Sequence, residues 1–300
     1  MTVRHFLDIT DLDRAELTAV LDLAEEPSLA PVLHHKGVAL IFEKPSNRTR
    51  QSMELAVVQL GGHPVYTRGD EVGFDVREPV EDVARIMAGF HAVLAARVFA
   101  HEVLLRMAAV SPVPVVNLLS DRSHPMQALA DVLTMRQTIG PLERRTVAWV
   151  GDYNNVARSL GEASAMRGMH VRYGCPVGYG PDEAEVERLQ RLGAATVVAF
   201  PRLEEAVVGA DAVHTDVWTS MGQESEAAAR RKAFEGWIVT DEVMQAAGPH
   251  ALFFHCMPAH RGDEVTASVM DGPRSRAIRQ GHNRMHAARG LLAFLLGLRP

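Results

Sequence analysis

The stretch FEKPSNRTRQSMELA, residues 42 to 56, passes from an apolar run through a polar knot into an amphipathic pattern. The knot holds Arg48 and Arg50, with Ser46, Asn47 and Thr49 around them. Residues 37–42 read as a buried strand, and residues 48–60 as a helix stopped at Gly61 and Gly62, with Ser46 or Asn47 as its cap. A helix N-terminus already carries positive potential from unpaired N–H groups and aligned peptide dipoles. Two guanidinium forks converging there are unfavourable unless an anion sits among them, and phosphate is the obvious guest. The plainer alternative is a capped helix with surface arginines.

Four further stretches carry residue types able to do chemistry. In VVNLLSDRSHPMQALAD, His124 and Gln127 open a helix three residues apart, on one face. Such a pair can donate to a carbonyl oxygen and accept from an amide, or it can be a capping histidine beside a surface glutamine. In AWVGDYNNVARSL a strand, a Gly-Asp turn and a helix form a ligand-facing loop, where Asn154 and Asn155 either cap the helix or bind a carboxylate. HTDVWTSMGQE places Asp216 at a strand's carboxyl end, before Trp218, Ser220 and Met221, which fits a small-ligand pocket whose acid meets an ammonium group. Its alternative is a turn-forming aspartate. LFFHCMPAHRGDEV ends an apolar strand on Cys256, where a buried, inert thiol is the ordinary expectation. His255 and His260 flank it, but a single thiolate without Cys-x-x-Cys argues against zinc. No Gly-x-Ser-x-Gly elbow supports a Ser-His-Asp hydrolase, and no G-x-G-x-x-G supports a dinucleotide enzyme.

The elements that must present these residues alternate along the chain. Strands are expected at 37–42, 64–67, 93–98, 113–117, 146–150, 170–173, 196–199, 212–215 and 251–255, with helical patterns between them. That alternation predicts an α/β protein with two doubly wound parallel-sheet domains and helices on both faces. The break TIGPLERR, residues 138 to 145, divides a first domain of residues 1–138 from a second of 139–281, and residues 282–300 form an apolar-faced helix returning to the first. A net charge of −6 gives no electrostatic case for nucleic acid or an anionic membrane. Two cysteines and no apolar leader pattern point to the cytoplasm, and no run is long enough to span a bilayer.

In order along the chain, these stretches resemble the aspartate/ornithine carbamoyltransferase family. FEKPSNRTR is similar to its Ser-Thr-Arg-Thr-Arg signature, and HPMQALAD to its His-Pro-x-Gln motif. GDYNNVARSL and NRMHAARGLL match further blocks, while DVWTSMGQE and HCMPAHRGDEV resemble the motifs of its ornithine branch. The resemblance runs from residue 4 to about 296. It implies transfer of a carbamoyl group from carbamoyl phosphate to L-ornithine, in a cleft between the domains of a homotrimer or an assembly of trimers, with no metal or organic cofactor. By matching position, Ser46, Asn47, Arg48, Thr49 and Arg97 would hold the phosphate. His124, Gln127, Arg97 and Thr49 would meet the carbonyl side, and Cys256, Met257 and Arg284 would complete the donor site. Arg97, His124 and Cys256 would be catalytic. Asn155, Asp216, Ser220 and Met221 would hold ornithine. Three positions depart from the pattern: Asn47 replaces a threonine, Met126 fills the variable place of His-Pro-x-Gln, and Gly73 stands where the family has a loop glutamine, with Arg77 nearby as a substitute. The alternatives are a carbamoyltransferase for an N-acylated ornithine or putrescine, and a non-catalytic carbamoyl-phosphate-binding protein.

Overall fold

Runs of valine, isoleucine and leucine bounded by turn residues become the strands, and the amphipathic stretches between them become helices. The computed structural model describes residues 3–219 and 224–300. Contacts divide the chain into two units, Met1–Leu133 with His282–Pro300, and Thr134–Gly281. The first contains α1 (Arg14–Glu25), β1 (Gly37–Phe42), α2 (Asn47–Gln59), β2 (His63–Arg68), α3 (Gly69–Val72), α4 (Val80–Phe90), β3 (His91–Arg97), α5 (His101–Val110) and β4 (Val115–Leu119), and α6 (Pro125–Ile139) begins in it. Its sheet is parallel, in the order β2-β1-β3-β4. Every residue of β1 after Gly37 is buried, as a parallel strand covered on both faces requires. By contrast β2 alternates in exposure and carries Pro64, which an edge strand tolerates.

The second unit contains β5 (Thr146–Val150), α7 (Asn155–Met166), β6 (His170–Gly174), α8 (Glu183–Leu192), β7 (Thr196–Phe200), α9 (Leu203–Val207), β8 (Ala212–Thr215), α10 (Ala227–Ala233), α11 (Asp241–Ala247), β9 (Leu252–His255) and α12 (Ala267–Met270). Its sheet is also parallel, in the order β7-β6-β5-β8-β9. The last helix, α13 (Ala277–Leu295), supplies its later residues to the first unit. Among the described residues, no helix is long and apolar enough to cross a membrane.

Both strand orders reverse direction once. In the first sheet the chain leaves β1 outward to β2 and returns on the other side through β3. In the second it runs from β5 to β6 and β7, then returns to β8. Crevices at the carboxyl ends of the strands beside such reversals are where open α/β sheets bind ligands. In this protein those crevices lie at the β1/β3 and β5/β8 junctions.

All nine expected strands form, with ends shifted by at most two residues. The strand expected at 113–117 runs instead from Val115 to Leu119. Pro112 and Pro114 lack the N–H that a ladder needs, so pairing starts after them and extends to Leu119, the partner of Arg97. The final helix begins at Ala277 rather than at residue 282. Tertiary contact decides this, since Ala277 and Gln280 are fully buried although Ala-Ile-Arg-Gln-Gly shows no apolar stripe.

Candidate active site

At the β1/β3 junction, Ser46 caps α2, accepting from the Thr49 N–H at 3.5 Å. Asn47 is the first helical residue, and its side-chain oxygen accepts from Gln51 Nε2. The buried Thr49 hydroxyl oxygen accepts from Ser46 at 3.0 Å and from Arg284 Nη2 at 2.6 Å. With both lone pairs engaged, its own hydrogen remains to be donated. Arg97 ends β3 and is buried, and the charges that act on it are those of Arg284 and Arg48. Burial first, then these two cations, push its pKa down to about 10, which disfavours its charge by roughly 3 kcal/mol. Arg48 is exposed and, among the described residues, forms no ion pair or hydrogen bond. A buried guanidinium with two others acting on it makes a site that an anion stabilises.

The two arginines of the knot do not converge on one point, contrary to the expectation from sequence. Arg50 does not turn toward this point: it pairs with Glu54 at 2.8 Å and stacks over Tyr66, its guanidinium carbon 3.8 Å from the ring centroid. Residues two apart on a helix point about 200° apart, so Arg48 and Arg50 cannot converge. Arg97 and Arg284 supply the missing cations.

His124 precedes α6 and is buried; burial, then Arg284 and Arg97, holds its pKa well below the usual histidine value. It is therefore a neutral imidazole at neutral pH, a donor that brings no extra charge. Its loop is held by the buried Asn117 side chain, which donates to Leu7 O at 2.9 Å and to Ser123 Oγ at 3.0 Å. Gln127, one turn into α6, donates through Nε2 to Asp131 at 2.7 Å. Asp131 was not among the residues expected from sequence, although its i, i+4 spacing from Gln127 was visible there.

The β5/β8 junction has the opposite character. Asp216 follows β8 and is buried; its Oδ1 accepts from the Cys256 thiol at 2.9 Å and its Oδ2 from Asn154 Nδ2 at 3.0 Å. Asn154 is also the cap of α7, accepting from Val156 N at 2.9 Å and Ala157 N at 3.0 Å. Asn155, expected at the ligand, opens the helix one residue on, and it is Asn154 that touches Asp216. Cys256 is thus no inert core thiol, because it donates to a carboxylate at a strand's end. Beside it, His255 donates through Nε2 to Glu264 at 3.0 Å and accepts through Nδ1 from Met257 N at 2.9 Å. That bond holds Met257 at φ 64°, a left-handed backbone rare for methionine. Gln280 accepts from His255 N at 3.0 Å and donates to His214 Nε2 at 2.9 Å, tying β9 to β8.

Asp216, His255 and Cys256 offer donor atoms within 4.8 Å of one another. Both nitrogens of His255 are already engaged, so a metal would have to break one of those bonds. Asp152, in the same loop as Asn154, forms a buried ion pair with Arg230 at 2.8 Å, and Arg230 also reaches Trp218 O at 3.3 Å. Ser220 and Met221, both expected at the amino acid, lie outside the described residues. Gly73 has φ 60° and caps α3; a Cβ there would fall 2.9 Å from Cγ of Arg77. Arg77 folds back to donate to Glu71 O at 2.9 Å.

Residues 4–137 match the profile of the aspartate/ornithine carbamoyltransferase carbamoyl-P binding domain, and residues 143–295 that of the Asp/Orn binding domain. An ornithine carbamoyltransferase from Acidothermus cellulolyticus is 47% identical over 306 residues, covering 98% of this chain and 97% of that protein. The crystal structure of ornithine carbamoyltransferase from Thermus thermophilus superposes with a TM-score of 0.90 at 43% identity, covering 98% of this chain and 99% of that one. The enzyme of the same name from Pyrococcus furiosus gives 0.93 at 38% identity, with 99% of each chain covered. Two doubly wound units, one gathering arginines and the other an acid and a thiol at their switch points, agree with that likeness along the whole chain. The chain belongs to the aspartate/ornithine carbamoyltransferase family.

Proposed function

We propose that this protein transfers the carbamoyl group of carbamoyl phosphate to the δ-amine of L-ornithine, giving L-citrulline and phosphate. The observation that carries the reading is that one chain holds both a cation cluster, Arg48, Arg97 and Arg284, in its first unit and an acid site, Asp216 and Cys256, in its second. In this reading the first domain, residues 1–138 with 282–300, takes carbamoyl phosphate, and residues 139–281 take ornithine. Ser46, Asn47, Arg48 and Arg284 bind the phosphate, where guanidinium forks suit its oxygens. The amine attacks the carbonyl carbon, and negative charge grows on the carbonyl oxygen. Thr49, Arg97 and neutral His124 donate to that oxygen, and such preorganised donors are the largest electrostatic contribution in reactions of this kind. Gln127 meets the carbamoyl amide. The C–O bond to phosphate then breaks, and Arg48 and Arg284 stabilise the departing dianion.

The δ-ammonium has a free pKa of roughly 10 and must lose a proton before it attacks. Cys256 orients it and takes up that proton at sulfur while passing its own thiol hydrogen to the Asp216 carboxylate, with Met257 held in place by His255. Asn155, Asp216, Ser220 and Met221 take the α-amino and carboxyl groups. No step calls for a metal or an organic cofactor. The protein works in the cytoplasm as a homotrimer or an assembly of trimers, for which exposed Leu55, Val58, Ile86 and Phe90 supply apolar surface.

The test is citrulline formation with ornithine, N-acetylornithine, putrescine and aspartate as competing acceptors. Ornithine should be carbamoylated at least about a hundredfold faster than any other, since a site built for polar groups rejects molecules lacking them. A preference for N-acetylornithine or putrescine would move the assignment to those substrates. No transfer to any amine, with carbamoyl phosphate still bound, would leave only the binding-protein alternative.

A further inference from the structure

We infer that Asp131 is a positioning residue that fixes which edge of the Gln127 amide faces the substrate, and thereby makes the site select a carbamoyl over an acyl phosphate. Gln127 is 1% exposed and Asp131 0% exposed, and Nε2 of the first lies 2.7 Å from Oδ1 of the second. A carboxylate only accepts, so the edge of Gln127 facing it must be the NH₂. The opposite edge is then the carbonyl oxygen, which is buried and has no hydrogen-bond partner among the described residues. Its helix position puts Gln127 on the face that follows His124, the residue within the field of Arg97 and Arg284. The donor cluster is thus accompanied by one buried acceptor whose polarity Asp131 sets.

That acceptor discriminates. Carbamoyl phosphate and acetyl phosphate have nearly the same shape and the same phosphate, but the first presents an N–H₂ where the second has a methyl group. A buried acceptor left unmet penalises the methyl compound, whereas pocket shape alone separates such near-isosteres poorly. Without Asp131 the Gln127 amide turns over freely and offers its own NH₂ to the carbamoyl NH₂. The inference rests on the reading that carbamoyl phosphate binds in the first unit.

The experiment uses the full chain as wild type, Asp131→Asn, Gln127→Glu and the double variant Gln127→Glu/Asp131→Asn. It measures KM for carbamoyl phosphate, the inhibition constant of acetyl phosphate, and the dissociation constant of inorganic phosphate. Asp131→Asn, which is isosteric, should lower the acetyl-to-carbamoyl discrimination about fivefold to twentyfold, with phosphate affinity within about threefold of wild type. Gln127→Glu alone sets two carboxylates against each other and should lower kcat/KM by about a hundredfold or more. In the double variant the amide introduced at position 131 donates to the carboxylate introduced at position 127, whose other oxygen remains an acceptor. Discrimination should then return to within about threefold of wild type, a rescue that a merely structural role for Asp131 does not give. Unchanged discrimination in Asp131→Asn, a double variant no better than the worse single, or loss of phosphate binding in Asp131→Asn each overturns the inference. Wild-type protein that binds neither phosphate nor carbamoyl phosphate overturns the reading of the site, and this inference with it.

Discussion

At the carboxyl edge of the first sheet, where β1 and β3 part, Arg48 and Arg284 act on the buried Arg97. At that of the second, a carboxylate bonded to a thiol and an amide stands where β5 and β8 part. The backbone plan is the same, a parallel sheet with one reversal of strand order and a capped helix leaving the junction. Only the side chains differ. Arg97 keeps a charge that burial and like charge disfavour, and an anion relieves that, while the same surroundings hold His124 neutral. Asp216 already has both oxygens bonded, so its site is closer to balance when empty. The first junction should therefore gain more from its ligand than the second, and the two should fail separately when altered.

The largest effect is expected at Arg97. Arg97→Ala should lower kcat about a thousandfold, the loss typical of an oxyanion donor, and Arg97→Lys should recover only part because an ammonium lacks the fork. Steady-state citrulline assays check this, and a loss below about tenfold would remove Arg97 from the transition state. Next comes Asp216→Asn, which should raise KM for ornithine roughly thirtyfold to a hundredfold while leaving phosphate affinity alone. Equal losses for both ligands would dissolve the division between the junctions. Thr49→Val deletes the hydroxyl that Arg284 grips, and about a tenfold fall in kcat/KM for carbamoyl phosphate should follow.

The smallest effect is a pH dependence confined to the first junction. The native pKa of His124 lies below its unfolded value of roughly 6.5, so the native state favours the neutral ring. The stability this contributes is fully present above that value and is lost as pH falls toward the native pKa. The melting temperature should drop between about pH 6.5 and 5, less steeply in His124→Asn and less steeply with phosphate bound. A fall equally steep in His124→Asn would assign the effect to other groups.

How much of this could be read from the sequence depends on distance along the chain. The strands were legible because apolar runs such as GVALIF and TVAWV end at turn residues. Ser46 and Asp216 were legible because a cap and a strand end are local features. Arg284 was placed at the donor site only by resemblance, since nothing in its own stretch announces a bond to Thr49 235 positions away. Asn154 and Asn155 are indistinguishable as letters, and only the structure shows that the first is the helix cap. Gln280 drew no notice because a single polar residue has no pattern; its role appears only once β8 and β9 lie side by side. Helical periodicity alone separates Arg50 from Arg48.

The central claim is that anion and amine are recognised at separate junctions of opposite charge. Titration calorimetry on Arg48→Ala and Asp216→Asn tests it most directly, with inorganic phosphate as one ligand and ornithine under saturating phosphate as the other. Arg48 is exposed and unpaired among the described residues, so its removal should leave the fold intact. Arg48→Ala should weaken phosphate about tenfold and ornithine less than about threefold, and Asp216→Asn should weaken ornithine roughly thirtyfold or more and phosphate less than about threefold, as expected when one charge-assisted contact is lost at each site. Phosphate binding that is indifferent to Arg48, or weakened as much by Asp216→Asn as by Arg48→Ala, would contradict the account.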